Sequence, residues 1–409
     1  MTKEFQLPKQ RVWEAFKLVK ANNGVGGVDG VSMDEFEADL KNNLYKIWNR
    51  LRSGSYFPPA VKAVEIVKKD GGKRRLGIPT IGDRIAQMAI KLSFEPKVEP
   101  IFHKDSYGYR PRKSAHDAIR VTRTRCWKSD FVLEFDIKGL FDNIDHNLLL
   151  KAVKSHTNDK MEILYIERWL KAPILNMDGV IECRDRGTPQ GGVISPVLAN
   201  LFMHYAMDKW LERTFPRIEF CRYADDGIVH CRTEEQAKTI LEALQKRLEE
   251  CGLALHPNKT KIIYCSSKGK DDLSHTNRSF DFLGFTFRRR TAVDPKGVFF
   301  CSFLPGISNS SKTAITTKFK AMKILSYTHV DLKNLADYIN PRIRGWFNYY
   351  GKFTKSAMSG IEYYIDSSIR KWLQKKFKKL KNCPAKASSL LNKLRKECPK
   401  LFAHWNWSS

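Results

Sequence analysis

The sequence predicts an α+β fold, with an antiparallel sheet backed by helices and then a separate, strongly basic helical region. Three stretches carry that expectation. "FVLEFDI" (131–137) alternates like a strand, with Phe131, Leu133 and Phe135 on one face and Val132, Glu134 and Asp136 on the other. Around "ADDG" (224–227) the order is strand, turn, strand, helix and strand. Phe220–Tyr223 and Ile228–Arg232 flank the acidic residues, and Asp226-Gly227 is a tight-turn signal. From about Asn309 onward, helical segments rich in Lys, Arg and aromatic residues take over, with no acidic residue between Asp366 and Glu397.

The chain's 409 residues suffice for two or three domains, and 42% hydrophobic residues suffice for a core. Lys and Arg number 72 against 44 Asp and Glu, a net charge of +28. Such a chain repels itself unless a polyanion shares its surface. Nucleic acid is the leading partner and an anionic membrane the second. There is no apolar run long enough to span a bilayer, and "MTKEFQLPKQ" has no apolar signal-peptide core. A cytoplasmic, nucleoid-associated protein is expected. The nine cysteines are scattered without a CxxC pair, which fits free thiols in a reducing compartment. Cys383, Cys398 and His404 match no zinc spacing and read as buried or idle.

Along the chain, 9–22 reads as a helix and "NNGVGGVDG" (22–30) as a glycine-rich loop. Residues 59–80 read as a hairpin, with Val64 and Ile66, an Asp70-Gly71 turn, then Leu76 and Ile78. Lys68, Lys69, Lys73, Arg74 and Arg75 crowd its tip and return strand. "GTPQGGVISP" (187–196) is a turn leading into a helix, with Ser195 as N-cap and Pro196 in the first helical position. A further helix over 234–251 buries Ala237, Ile240, Leu241, Leu244 and Leu248, and a strand follows near 253–264. Helices are expected over 339–353 and 367–382, the second with Leu373, Phe377 and Leu380 as its apolar stripe. Basic helical faces interleaved with aromatics suit a phosphate backbone with stacking bases.

Asp136 ends one strand, and Asp225 and Asp226 sit between two others. Taken alone, "ADDG" is more often a solvated turn. If the strands are neighbours, three carboxylates converge and repel, and they need hard cations to balance them. Two Mg²⁺ ions about 3.5–4 Å apart would do so and support phosphoryl transfer.

The order of the motifs resembles that of reverse transcriptase and maturase proteins encoded by bacterial group II introns. The matching stretches are "RRLGIPT" (74–80), "SYGYRP" (106–111), "FDIKGLFDNIDH" (135–146), "GTPQGGVISP", "RYADD" (222–226), "FLGF" (282–285) and "RGWFNYYG" (344–351). The resemblance implies a right-hand polymerase, with fingers and palm built on the antiparallel sheet and a helical thumb. Its expected segments are an N-terminal extension with a glycine-rich loop (1–45), fingers and palm (46–305), a thumb or maturase domain (306–375) and a short basic DNA-binding-like tail (376–409).

By matching position, Asp136, Asp225 and Asp226 are the expected catalytic triad, joined at the metals by the Ile137 carbonyl. The expected cofactor is Mg²⁺, two ions, with Mn²⁺ as a substitute. Lys68, Arg74, Phe141, Gln190 and Gly191 are expected at the incoming nucleotide, with Phe141 crowding a ribose 2′-hydroxyl. Tyr107, Arg110, Leu283 and Gly284 are expected along template and primer. Arg342, Arg344, Trp346, Arg370, Lys371, Lys375 and Lys376 are expected on RNA or DNA. His116 and His146 are assigned structural roles. Arg75 stands where the family commonly has proline. The implied function is copying RNA into cDNA while binding intron RNA as a splicing maturase, without an endonuclease segment. The implied partners are an RNA template, a DNA or RNA primer and deoxynucleoside triphosphates, with no membrane. A host-recruited enzyme in repair or phage defence, or a purely RNA-binding maturase, are the alternatives.

Overall fold

Phe135 and Gly227 meet face to backbone. A Cβ placed on Gly227 would fall 2.0 Å from the Phe135 ring, so the ring lies over the strand only because position 227 is bare. The computed structural model describes residues 4–22, 24–67, 72–265, 274–293 and 296–407. Its strands are β1 (Val61–Val67), β2 (Lys73–Ile78), β3 (Phe131–Asp136), β4 (Ile174–Leu175), β5 (Ile181–Glu182), β6 (Glu219–Tyr223), β7 (Asp226–Cys231), β8 (Lys261–Tyr264), β9 (Ser279–Phe282), β10 (Phe285–Val293) and β11 (Phe299–Ile307). They form three sheets, ordered β2-β1-β4-β5, β6-β7-β3-β8 and β11-β10-β9. The second sheet makes β3 and β7 neighbours, which the sequence alone could only suppose.

The chain divides into two compact units that interleave in sequence. The first comprises residues 1–114, 133–229 and 235–261, and the second 115–132, 230–234 and 262–409. In the first, helix Ile81–Val98 is nearly dry on one side, with Ile81, Ile85, Ala86, Ala89, Ile90 and Phe94 fully buried. Helix Glu234–Glu250 buries Ala237, Ile240, Leu244 and Leu248, while Leu241 is only half-buried. In the second unit, helices Asn309–Ala321, Leu332–Tyr350, Ser359–Lys376 and Pro384–Glu397 enclose a core that includes Phe319, Ile343, Phe347, Ile365, Trp372 and Phe402. The C-terminal segment is part of that core. His404 Nε2 and Trp405 Nε1 reach Asp366 Oδ1 at 2.8 and 3.0 Å, and Trp407 fills the space that Gly351 leaves open.

Several boundaries differ from expectation. The helix expected over 367–382 ends at Lys376, because Phe377 turns extended (φ −103°, ψ 114°), and the buried stripe is Ile361, Ile365, Ile369, Trp372 and Leu373. Phe377 is exposed. The last strand of the 253–264 stretch is confined to β8, preceded by a 3₁₀ turn at Pro257–Lys259. Ser195 is the first helical residue rather than the cap, and its Oγ accepts from Thr188 Oγ1 at 2.8 Å. The turn before β7 is Ala224–Asp225, not Asp226-Gly227, because Gly227 is needed inside the strand against Phe135.

Candidate active site

The acidic turn is held from beneath by one arginine. Arg222 on β6 is fully buried, as is its partner Asp208. Its Nε and Nη2 reach the two Asp208 oxygens at 2.8 and 2.6 Å, a bidentate fork. Nη1 donates to Asn200 Oδ1 and to the Ala224 carbonyl at 3.0 Å, and Nη2 to Ser106 Oγ at 2.8 Å. Asp208 is delivered by a single π-helical turn, His204–Asp208, that continues helix Ser195–Met203. Ala224 has φ +59°, a conformation that costs a side-chain-bearing residue about 1–2 kcal/mol and must be imposed by its surroundings. Gly108 supplies the other wall. A Cβ there would lie 2.5 Å from the Ala224 nitrogen.

These contacts explain "SYGYRP" differently from the expectation. The segment pairs along β6, with Tyr107 N donating to the Arg222 carbonyl and Arg222 N to the Asp105 carbonyl, both at 2.9 Å. Tyr107 is buried and its hydroxyl reaches Asp105 Oδ1 at 3.2 Å. Arg110 is spent on Glu99 and on the carbonyls of His103 and Ser106. Both side chains are engaged within the protein, Tyr107 by burial and Arg110 by Glu99 and two carbonyls. Tyr109 between them is half-exposed, with φ +58°. Its pKa is raised by burial and by the charge of Asp225, and its ring meets Phe141 edge-on at 6.2 Å.

The three carboxylates stand together at the end of β3 and the start of β7. Ile137 N donates to the Asp225 carbonyl at 3.2 Å and His256 N to the Asp136 carbonyl at 2.7 Å, which ties the end of β3 to both sides. Burial, then the Asp136 charge against a partly compensating backbone hydrogen bond, pushes the Asp225 carboxyl above its ordinary range. Burial, Asp225 and Asp136 push Asp226 up to about 7. Lys259 Nζ lies 2.5 Å from Asp136 Oδ2, and that hydrogen bond raises the ammonium's own pKa. Among the described residues no three His, Cys, Asp or Glu side chains are drawn into a ready-made ligand cage. With Lys259 on Asp136, a side-chain cation already sits on one of the three. The donor set is nonetheless all oxygen, partly desolvated and short of positive charge, the chemistry that suits a hard divalent cation.

The nucleotide-side candidates also meet. Arg74 Nε donates to Gln190 Oε1 at 2.5 Å, Gly77 N to the Gln190 carbonyl at 2.8 Å, and Gln190 Nε2 to Asp142 Oδ2 at 3.4 Å. Gly191 has φ +124°, and a Cβ there would strike the Gly77 carbonyl oxygen at 2.4 Å. The turn is fixed from behind by Gln87, whose Oε1 accepts from Val193 N at 2.7 Å while its Nε2 donates to buried Asp83. Phe141 is buried. His146 Nε2 lies 2.7 Å from the Gly187 carbonyl, and His116 stacks on Tyr349. Lys68 lies outside the described residues.

In the second unit, Leu283 and Gly284 form the β9–β10 turn with φ +51° and +82°. The Leu283 carbonyl accepts from Tyr349 Oη at 3.0 Å, and the Gly284 carbonyl from Ser308 N and Ser311 Oγ. Arg342, Arg344, Lys371 and Lys375 are exposed. Lys376 is not available in the same way, since its Nζ caps the carbonyls of Thr328 and Val330 at 2.9 and 2.6 Å. Trp346 packs on the helical core, and Arg370 is half-buried against Ser367 and Ser388. Arg222, Tyr109, Gln87 and Lys259 were missed from sequence. Arg222 and Tyr109 lie inside quoted motifs, but single residues there do not announce what they hold.

Residues 66–287 match the family model for reverse transcriptase (RNA-dependent DNA polymerase), and residues 313–393 match the group II intron, maturase-specific domain. The chain belongs to the reverse transcriptase family, in its group II intron maturase branch. It is therefore an RNA-directed DNA polymerase of α+β right-hand type that carries a maturase domain, and membership implies dependence on a divalent metal. Protein YkfC of Escherichia coli K12 is 32% identical over 317 residues, covering 68% of this chain and 80% of YkfC. The group II intron-encoded protein LtrA of Lactococcus lactis subsp. cremoris is 30% identical over 286 residues, covering 66% of this chain and 46% of LtrA. The putative COX1/OXI3 intron 1 protein of Saccharomyces cerevisiae is 29% identical, covering 62% of this chain and 36% of that protein. The chain thus spans most of YkfC but less than half of the two intron proteins. No helix among the described residues is long and apolar enough to cross a membrane.

Proposed function

We propose that Asp136, Asp225 and Asp226, with the Ile137 carbonyl, hold two Mg²⁺ ions and extend a DNA or RNA primer with deoxynucleoside triphosphates on an RNA template, intron RNA being the natural one. The observation that carries this is the adjacency of β3 and β7, which brings Asp136 beside the Asp225–Asp226 pair. Held by these carboxylates, Mg²⁺ or Mn²⁺ would supply a lower pKa for the primer 3′-hydroxyl and charge neutralisation for the leaving diphosphate. The chain's own residues position the reactants. Arg74, oriented by Gln190, offers a guanidinium to the triphosphate. Phe141, backed by Tyr109, crowds a 2′-hydroxyl and so selects deoxynucleotides. Bare backbone at Gly191 lets the turn close on the Gly77 carbonyl, which sets the turn beside the nucleotide. Leu283 and Gly284 serve the primer, and Arg342, Arg344, Lys371 and Lys375 the nucleic-acid backbone. In this reading residues 1–45 are an extension against the template, 46–305 fingers and palm, 306–375 the thumb, and 376–409 a DNA-binding-like tail.

The test is primer extension by purified protein on RNA and DNA templates with Mg²⁺. Asp225→Asn is expected to lower extension by at least about 10²–10³-fold, the usual cost of losing one charge-stabilising group, while RNA binding stays as tight or tightens. An Asp225→Asn protein that extends at the normal rate would remove the carboxylates from the chemistry.

A further inference from the structure

Three consecutive arginines, Arg288, Arg289 and Arg290, lie on β10, outside every site described so far. Strand alternation puts Phe285 and Phe287 on the buried face and Thr286, Arg288 and Arg290 on the other. All three arginines line a cavity of about 550 Å³, shared with Asn309, Lys312 and Ser359. The size falls within the range of small-ligand sites.

The cavity is built around positive charge. Arg290 lies flat over Gly306, where a Cβ would meet its Nη2 at 2.7 Å and its Cζ at 2.9 Å. Its Nε donates to the Leu304 carbonyl at 3.2 Å, which fixes the plane of the guanidinium. Burial, then the charge of Arg288, lowers its pKa, so the group is held at a cost. No acidic side chain lines the cavity. Among the described residues, no carboxylate pairs with Arg288, Arg290 or Lys312. Two helices also begin at its wall. Asn309 opens a helix of 13 residues capped by Ser308, and Ser359 continues the 3₁₀ turn Lys355–Met358 into a helix of 18. The N-terminal dipole of the first adds to the same sign of potential. A solvated basic surface spreads its charges outward and mixes in acids; here Arg288, Arg290 and Lys312 line one concavity whose wall holds no acidic side chain, while Arg289 has an interaction of its own.

We propose that this cavity seats a backbone phosphate of the bound nucleic-acid strand. The inference rests on the polymerase reading for the identity of that strand, and the cavity's position agrees with it. Thr286 in its wall lies two residues beyond Gly284, and helix Asn309–Ala321, which supplies Asn309 and Lys312, also holds the Gly284 carbonyl through Ser311. A strand passing the Leu283–Gly284 turn would run on beside the cavity, because Thr286 belongs to the strand that leaves the turn. Arg290 then gives a planar fork and Lys312 a point charge to the same phosphate oxygens.

The test is equilibrium binding of the full chain to a labelled RNA-template/DNA-primer duplex between 50 and 300 mM salt. Arg288→Ala with Arg290→Ala is expected to weaken binding at least tenfold at low salt and to flatten the log–log salt slope by about one to two, since each phosphate contact contributes roughly one. Arg290→Lys keeps the charge but loses the fork, and is expected to weaken binding several-fold. Gly306→Ala leaves every charge in place, displaces the Arg290 tip and presses on the Ala357 methyl at 3.0 Å, so it is expected to weaken binding as Arg290→Lys does, with thermal unfolding measured alongside to separate a local from a global effect. Asp225→Asn should bind the duplex at least as tightly as the parent while failing to extend it, which separates a failure here from a failure of the catalytic reading. Unchanged affinity and slope in the double variant would overturn the proposal. So would Arg290→Lys and Gly306→Ala binding like the parent, which would reduce the cavity to diffuse charge. If tripolyphosphate protects the parent against thermal unfolding while the double variant binds duplex normally, the seat belongs to a free polyphosphate and the strand assignment falls.

Discussion

The turn that carries Asp225 and the basic face of the helical region solve opposite problems. Beneath the turn, Arg222 is wholly buried and spends its donors on Asp208, Asn200, Ala224 and Ser106. On helix Ser359–Lys376, Lys371 and Lys375 stand in solvent. Buried charge is expensive and pays only where position must be fixed to fractions of an ångström; exposed charge is cheap and suits a partner recognised by its own charge density. The two regions should therefore fail in different ways when altered, one by losing the fold around the site and the other by losing affinity alone.

The sharpest break in that contrast is Arg222→Met. It leaves Asp208 buried and unpaired, and should cost about 3–5 kcal/mol in urea or thermal unfolding. Adding Asp208→Leu should recover part of the loss, because the orphaned charge is then gone. If the single variant unfolds like the parent, the turn is not held as described. Lys371→Gln with Lys375→Gln should leave unfolding within about 0.5 kcal/mol, the usual range at exposed sites. It should reduce the salt slope of RNA binding by about one to two. A stability loss there, with the slope intact, would put these lysines in the structural class. A smaller effect sharpens the same comparison at the C-terminal segment. Burial works against the ionised Asp366, but hydrogen bonds from His404 and Trp405, with the charges of His404 and Arg395, outweigh it and hold its carboxyl below the ordinary range. A depressed carboxyl stabilises the fold above its unfolded pKa, and the contribution is lost as pH falls through the folded value. The stability gap between the parent and Asp366→Asn should thus be full at pH 6 and shrink below about pH 4. A gap that does not change with pH would make the contact a neutral hydrogen bond.

What the sequence made legible follows the same division. Alternation along 131–137 and the helical stripe of 234–251 located the central strand and its helix, because burial leaves a period in the residues. The three acids could be named from their motifs, but their convergence could not be derived, since strand order is a long-range property. The supports stayed hidden. Tyr107 and Arg110 sit in a motif whose company suggested template contact, yet their side chains are consumed by Asp105, Glu99 and local carbonyls. Gly227 read as a turn glycine, whereas the Phe135 ring demands it in a strand. Lys376 read as one more lysine on a basic face, and only the fold shows it capping Thr328 and Val330. A side chain's partner leaves no signal in the residue itself, whether it lies 2–11 residues away as for Tyr107 and Arg110 or 46–48 away as for Lys376.

The most direct measurement is single-turnover primer extension on an RNA template, run beside RNA binding on the same samples of the parent, Asp136→Asn and Asp225→Asn. Both variants should bind RNA at least as tightly as the parent and yield essentially no extended product. Extension at the parental rate by either variant would show that these carboxylates do not form the polymerase centre.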